Sequence, residues 1–268
     1  MCRLRPGCRT LFQGGALVTG AADEGLLAVA GVLAGVTGTA GGITSLVSYP
    51  ALLWAGVPAL QANVANIVAL VACWPGSALA SRPELEGKGP WLRRWTAVAV
   101  GGGTAGSELL LNTPPGLFSK VVPFLVAAGS LILLFQPKIT AGSREGGHGE
   151  ARLLLPCGVA ALSAYNGYFG AGSGVMLLAL MLGTADPVMA RANALKNMLV
   201  GAASIASAVL FAVAAGVDWG AVAPLGAGML AGSALGPWVA RRMPARLLRW
   251  LVALTGLGLA ARLWISGG

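Results

Sequence analysis

Two apolar runs of about thirty residues, 26–54 and 153–182, each contain a glycine-rich octapeptide, GVTGTAGG at 35–42 and GYFGAGSG at 167–174. A straight helix of about thirty residues would be about 45 Å long, against a hydrocarbon core of about 30 Å. Each run is therefore expected either to cross steeply tilted or to break at its glycines into a re-entrant pair. Lipid satisfies no backbone N–H or C=O group, so backbone that leaves the helix inside a bilayer must line something polar or be buried in protein. Interrupted segments at corresponding places in two halves of a chain are how transporters build a site.

Six further apolar blocks follow the same order in each half: 63–80, 95–111 and 117–136, then 192–215, 219–240 and 247–265. With 56% hydrophobic and 10% charged residues and a mean hydropathy of +0.76, the chain reads as an all-α polytopic membrane protein. The hydrophilic stretches 136–152 and 81–94 are too short to bury a core of their own. Beyond the octapeptides, Gly56 pairs with Gly183, Ala65-Asn66 with Ala192-Asn193, and Ala105-Gly106-Ser107 with Ala231-Gly232-Ser233. Matching order in both halves argues for duplication rather than for packing alone. The expected organisation is an N-terminal extension (1–25), a first transmembrane repeat (26–136), an inter-repeat loop (137–152) and a second repeat (153–268). The extension is basic, and its apolar part is interrupted at Gln13, Gly14 and Gly15, so its reading as a signal peptide stays open.

Positive residues favour inverted repeats. If each long run dips in and returns, Arg82, Lys88, Arg93, Arg94, Lys138, Arg144, Arg152, Arg191, Arg241, Arg242, Arg246 and Arg249 share one side, against Arg3, Arg5, Arg9, Lys120 and Arg262 on the other. Parallel repeats would put the dense 241–249 cluster outside. The net charge of +9 belongs mostly to these loops and is expected to meet anionic lipid headgroups. Nothing resembles a basic, aromatic-bearing soluble surface for nucleic acid. Cys2, Cys8, Cys73 and Cys157 form no metal-binding or disulfide pattern, and packing is the expected role of the last two. No cofactor motif is visible.

Polar residues at membrane depth are the functional candidates. Lys196 lies one turn into an otherwise uncharged block, with Asn193 and Asn197 on the same helical stripe. An ammonium and two carboxamides offer several donors to an oxyanion, the alternative being a lysine that snorkels to the interface. The glycine breaks add free N–H groups at Gly38, Gly41, Gly42, Gly170 and Gly174. Thr37, Thr39, Thr44 and Ser45 contribute hydroxyls in the first copy, and Tyr165, Asn166, Tyr168 and Ser173 contribute donors in the second. Donors outnumber fixed negative charges, which points to an anionic ligand. Glu108, in the third block, is a proton-coupling candidate because burial would raise a carboxyl pKa, the alternative being a residue near a helix end that reaches the interface or pairs with a hydroxyl. The sole histidine, His148, falls in a hydrophilic loop.

The glycine pair, the Ala-Asn element that includes Asn66, and YNGYFGAGSG followed by RANALKN resemble the sulfite exporter TauE/SafE family, also called toluene-sulfonate uptake permeases. The resemblance covers nearly the whole chain, about 26–265. It implies transport of sulfite, sulfonates or other small sulfur-containing or organic anions across a bacterial inner membrane. The chain departs from the family's GxGGG-like run with GTAGG, and has Ala65 where a threonine is common. An anion channel or a non-transporting membrane subunit is the main alternative. An intramembrane serine protease built on Ser173 would need a base, leaving only a Ser173–Lys196 dyad, and no enzyme activity is expected.

Overall fold

The computed structural model describes residues 20–145 and 151–240, together with Leu254, Leu257, Gly258, Ala261 and Trp264. Residues 1–19 of the expected extension, His148, the 241–249 arginine cluster and most of the last apolar block lie outside the described residues. Those described are helical, with no strand among them.

Both long apolar runs break at their glycines. Helix α1 (Ala21–Gly41) ends at Gly42, and α2 (Thr44–Trp54) starts two residues later. In the second half α8 (Ala151–Tyr168) ends before a four-residue interruption, and α9 (Ser173–Thr184) follows it. At about 1.5 Å per residue, α2 and α9 are each about half the thickness of a hydrocarbon core. The chain turns back at the second break, because Gly158 of α8 packs on the side chain of Leu180 in α9. Asp23 and Glu24 occupy the first turn of α1, where carboxylates complement the helix dipole.

The block expected at 63–80 is two helices, α3 (Ala59–Leu70) and α4 (Cys73–Ala80). Pro75 supplies the reason. It has no N–H to give the Val71 carbonyl and its ring crowds that carbonyl, so the turn there closes with Ala72 N–H on Ala69 O and Trp74 N–H on Val71 O. After the short α5 (Arg82–Leu85) come α6 (Gly89–Leu111) and α7 (Pro115–Glu145), then, beyond α9, α10 (Met189–Ala214) and α11 (Trp219–Ala240). Helix continues to Glu145 and resumes at Ala151, so most of the stretch expected as an inter-repeat loop is helical. Hydropathy marks where a helix leaves lipid, and a helix extends past that point as long as its own hydrogen bonds hold.

Among the described residues, the spans Ala21–Gly41, Ala59–Ala80 and Met189–Ala214 are long and apolar enough to cross a membrane. Glycine seams hold the bundle together. On α11, Gly228 and Gly232 lie against the backbone of Ala28 and Val32 in α1, and Gly35 lies against Met229. On α6, Gly102 and Gly106 lie against Ala160 and Ala164 in α8, and Gly167 lies against Gly103. From Gly228–Ala28 to Gly232–Val32, and from Gly102–Ala160 to Gly106–Ala164, residue numbers rise together, so the paired helices run parallel. Small residues let backbones approach this closely where lipid supplies no hydrophobic drive.

At one face of the bundle, Asp186 in the α9–α10 turn accepts from Lys88 Nζ at 3.1 Å and lies 3.5 Å from Arg191 Nε. Its other oxygen accepts the Val188 N–H at 3.0 Å. Burial pushes this carboxyl up, but the Val188 N–H, Lys88 and Arg191 together hold it below the usual carboxylate range. A depressed carboxyl stabilises the fold above its unfolded pKa, about 3.9, and the contribution is lost as pH falls through the folded value. Asp186→Asn is therefore expected to lower the melting temperature by about 2–4 °C at neutral pH. The deficit should close as the scan is repeated below about pH 4; a deficit that persists unchanged in acid would show that the carboxylate charge is not its source.

Candidate functional site: a cavity where two helix breaks meet

The two breaks touch main chain to main chain. Gly42 adopts the left-handed region (φ 79°), with its N–H on Gly38 O at 2.7 Å, and Gly172 does the same ahead of α9 (φ 80°). A Cβ on Gly42 would sit 2.6 Å from the carbonyl carbon of Gly174, and one on Gly174 would sit 2.6 Å from Gly42 O. A cavity of about 40 Å³ lies beside this contact. Its wall brings together the carbonyl end of α1, the N-terminal ends of α2 and α9, and one face of α10. Neither α2 nor α9 carries a side-chain N-cap, and at the start of α9 the Ser173 N–H closes on Gly170 O and the Val175 N–H on Gly172 O, so the positive dipole ends of both helices face the cavity without a side chain over them.

Lys196 is 1% exposed and projects from α10 into this wall. Its Nζ donates to Gly38 O at 3.2 Å, so it does not snorkel to an interface. Asn193 and Asn197 both donate through Nδ2 to Thr39 O, at 2.8 and 3.3 Å. Three donors from one α10 face thus meet the last carbonyls and the negative dipole end of α1. On the opposite wall, Ser173 Oγ donates to Asn166 Oδ1 at 2.9 Å and lies 2.7 Å from Gly170 O, while Asn166 Nδ2 donates to Ser204 Oγ at 3.1 Å. The donors of Ser173 and Lys196 point to these separate acceptors rather than to each other.

The profile of the family described as sulfite exporter TauE/SafE matches residues 25–263. The chain belongs to the TauE/SafE family. It is also 27% identical over 230 residues to a "Probable membrane transporter protein" of Haemophilus influenzae, covering 83% of this chain and 87% of that protein. No solved structure matches it. The chain is accordingly a multi-pass membrane transporter, with several membrane-spanning helices.

In this TauE/SafE protein the cavity gathers Gly38, Thr39, Gly42, Asn166, Gly170, Ser173, Gly174, Lys196 and Asn197 from the sequence expectation. Asn193 lies one turn behind, on Thr39 O, and Tyr165 holds the second break by donating to Ala171 O at 2.8 Å. Asn66 is fully buried on α3, accepts from Ser48 Oγ and does not line the cavity. Gly41 also lies off the wall, and a Cβ there would meet nothing within 4 Å. Glu108 is exposed near the end of α6, so the burial expected for a coupling carboxylate is not found there. Cys157 is exposed rather than packed.

Sequence reasoning missed the α4 wall, where Cys73, Trp74 and Ser77 line the cavity and Trp74 packs over Gly201 of α10. The available signal was Pro75, which kinks this span and turns its small polar face inward.

Proposed function

We infer that the chain is a secondary carrier for a small anion, with sulfite, sulfonates and other compact sulfur-containing or organic anions as the class, working by alternating access and without enzymatic activity. The observation that carries this reading is the buried Lys196 in a cavity onto which two uncapped helix N-termini converge. Such ends favour anions by geometry and by dipole. The size also fits: about 40 Å³ corresponds to about three water-sized groups at about 10–15 Å³ each, the scale of a compact oxyanion.

Two inverted halves are supported by reciprocal packing. The register that aligns 35–42 with 167–174 carries Ala28 and Val32 onto Ala160 and Ala164 and Gly42 onto Gly174, and the register that aligns 105–107 with 231–233 carries Gly102 and Gly106 onto Gly228 and Gly232, so the Gly102–Ala160 and Gly106–Ala164 contacts correspond to Gly228–Ala28 and Gly232–Val32. Each broken segment therefore rests on the third block of the other half. Trp95 of α6, Val159 of α8, Met181 of α9 and Leu195 of α10 share one cluster, so α6, α8 and α10 start on one face. Helix α1 runs with α11, which starts on the other. Opposite starting faces for α1 and α8 are what inversion requires, and two halves rocking about the Gly42–Gly174 contact would expose the cavity alternately. Arg82, Lys88, Arg93, Arg94 and Arg191 then lie on the cytoplasmic side of a bacterial inner membrane.

Counterflow in proteoliposomes tests the reading, because a carrier exchanges labelled sulfite or thiosulfate saturably and a channel does not. A ligand at about a hundred times its Kd should stabilise the purified protein by about 2.7 kcal/mol. A thermal-shift series over sulfite, thiosulfate, sulfonates and carboxylates ranks the class, and no shift with any of these anions would sink the assignment.

A further inference from the structure

We propose that Lys196 is the proton carrier of the anion site, so that each anion crosses together with one proton. The proposal rests on the anion-carrier reading above and adds its coupling ion. Among the described residues, Cys73 is the only other titratable side chain that lines the cavity, and no carboxylate does. The other groups on elements packed against α10 lie elsewhere. Asp23 and Glu24 are in the first turn of α1, at the end away from the break, and the Tyr165 hydroxyl of α8 is engaged by Ala171 O. Asp186 is held by Lys88 and Arg191 ahead of α10, and Lys196 lies about 10 Å of helical rise beyond the Met189 start of that helix. Arg82 and Glu84 of α5, Glu108 of α6, and Arg93 and Arg94 near its start do not line the cavity.

An ammonium in such a site needs a counter-charge, since an unpaired buried ion costs several kcal/mol even after relaxation. The α1 carbonyl end supplies only about half a unit of negative charge. That end is already shared: Gly38 O also accepts the Gly42 N–H, and Thr39 O takes both asparagine amides. One Nζ donor is spent on Gly38 O, leaving two for a ligand. The remaining compensation arrives with the anion. Proton and anion therefore strengthen each other's binding by the same factor, which is the thermodynamic content of symport. The proton passes from water at the open side to the Nζ lone pair and returns to water at the other side, and the anion is chemically unchanged. A monovalent anion crosses with no net charge.

The test uses the full chain in proteoliposomes loaded with a pH dye, with the membrane potential clamped at zero. Labelled methanesulfonate and thiosulfate are the probes, because their charge does not change around neutral pH. A gradient of one pH unit, alkaline inside, should drive about tenfold accumulation of methanesulfonate, and an inward methanesulfonate gradient should acidify the lumen. In Lys196→Arg, permanently charged, whatever counterflow is retained should show neither effect. Should the guanidinium prevent assembly, Lys196→His, which still titrates, should keep gradient-driven accumulation. Wild-type counterflow with accumulation indifferent to pH would overturn the coupling and leave the anion carrier standing. Gradient-driven accumulation by Lys196→Arg would equally overturn it, since the proton would then travel elsewhere. Wild-type protein that exchanges neither probe removes the carrier reading, and the coupling falls with it.

Discussion

Lys196→Met is expected to reduce anion counterflow at least a hundredfold while leaving the melting temperature unchanged or slightly raised. The two halves of that result have different causes. Removing one partner of a buried charge pair costs about 3–5 kcal/mol, and each 1.4 kcal/mol is tenfold in an equilibrium. The fold loses little, because Gly38 O keeps the Gly42 N–H at 2.7 Å and Thr39 O keeps both asparagines. Methionine also fills the space of the lysine stem without its charge. If Lys196 served only to cap α1, the same substitution would lower the melting temperature and spare transport. Undiminished counterflow in a well-folded variant would remove Lys196 from the site.

Gly42→Ala should be among the most damaging single-methyl changes in the chain, and Gly41→Ala, one position earlier, nearly silent. At Gly42 an added Cβ meets the Gly174 carbonyl carbon at 2.6 Å and must also adopt a left-handed φ of 79°. The backbone conformation costs about 1–2 kcal/mol and overpacking about 1–3 kcal/mol. A fall of about 5–10 °C in melting temperature follows, with transport lost as the two breaks are pushed apart. Gly174→Ala meets Gly42 O at 2.6 Å without the φ penalty, so it should fall between the two. Gly41 is helical with open space at its Cβ, and alanine there should be neutral or slightly stabilising. Equal effects at 41 and 42 would show that the Gly42–Gly174 contact is not what holds the site.

Much of the membrane architecture was legible before any coordinates. The expected block 219–240 coincides with α11, and the two long runs do break at their octapeptides, because an apolar stretch longer than a bilayer is thick must tilt or fold back. Less legible was the kink at Val71, since hydropathy is blind to the carbonyl that Pro75 displaces. The α4 wall of the cavity was missed for that reason. Glu108 stood open between a buried coupling carboxylate and a residue reaching the interface, and its exposure agrees with the second, because membership of an apolar block does not say which face of the helix a residue occupies.

Sequence by itself determined the class, the two glycine-rich places where a long run could break, the stripe of Asn193, Lys196 and Asn197, and the family. These depend on length, hydropathy and short-range periodicity, which are local properties. Only the tertiary structure decided that Gly42 meets Gly174, that Lys196 points at Gly38 O, and that the asparagines bind a helix end 154 and 158 residues away in the chain. Those contacts join opposite halves of the chain, and their geometry follows from how closely the glycine seams let whole helices approach.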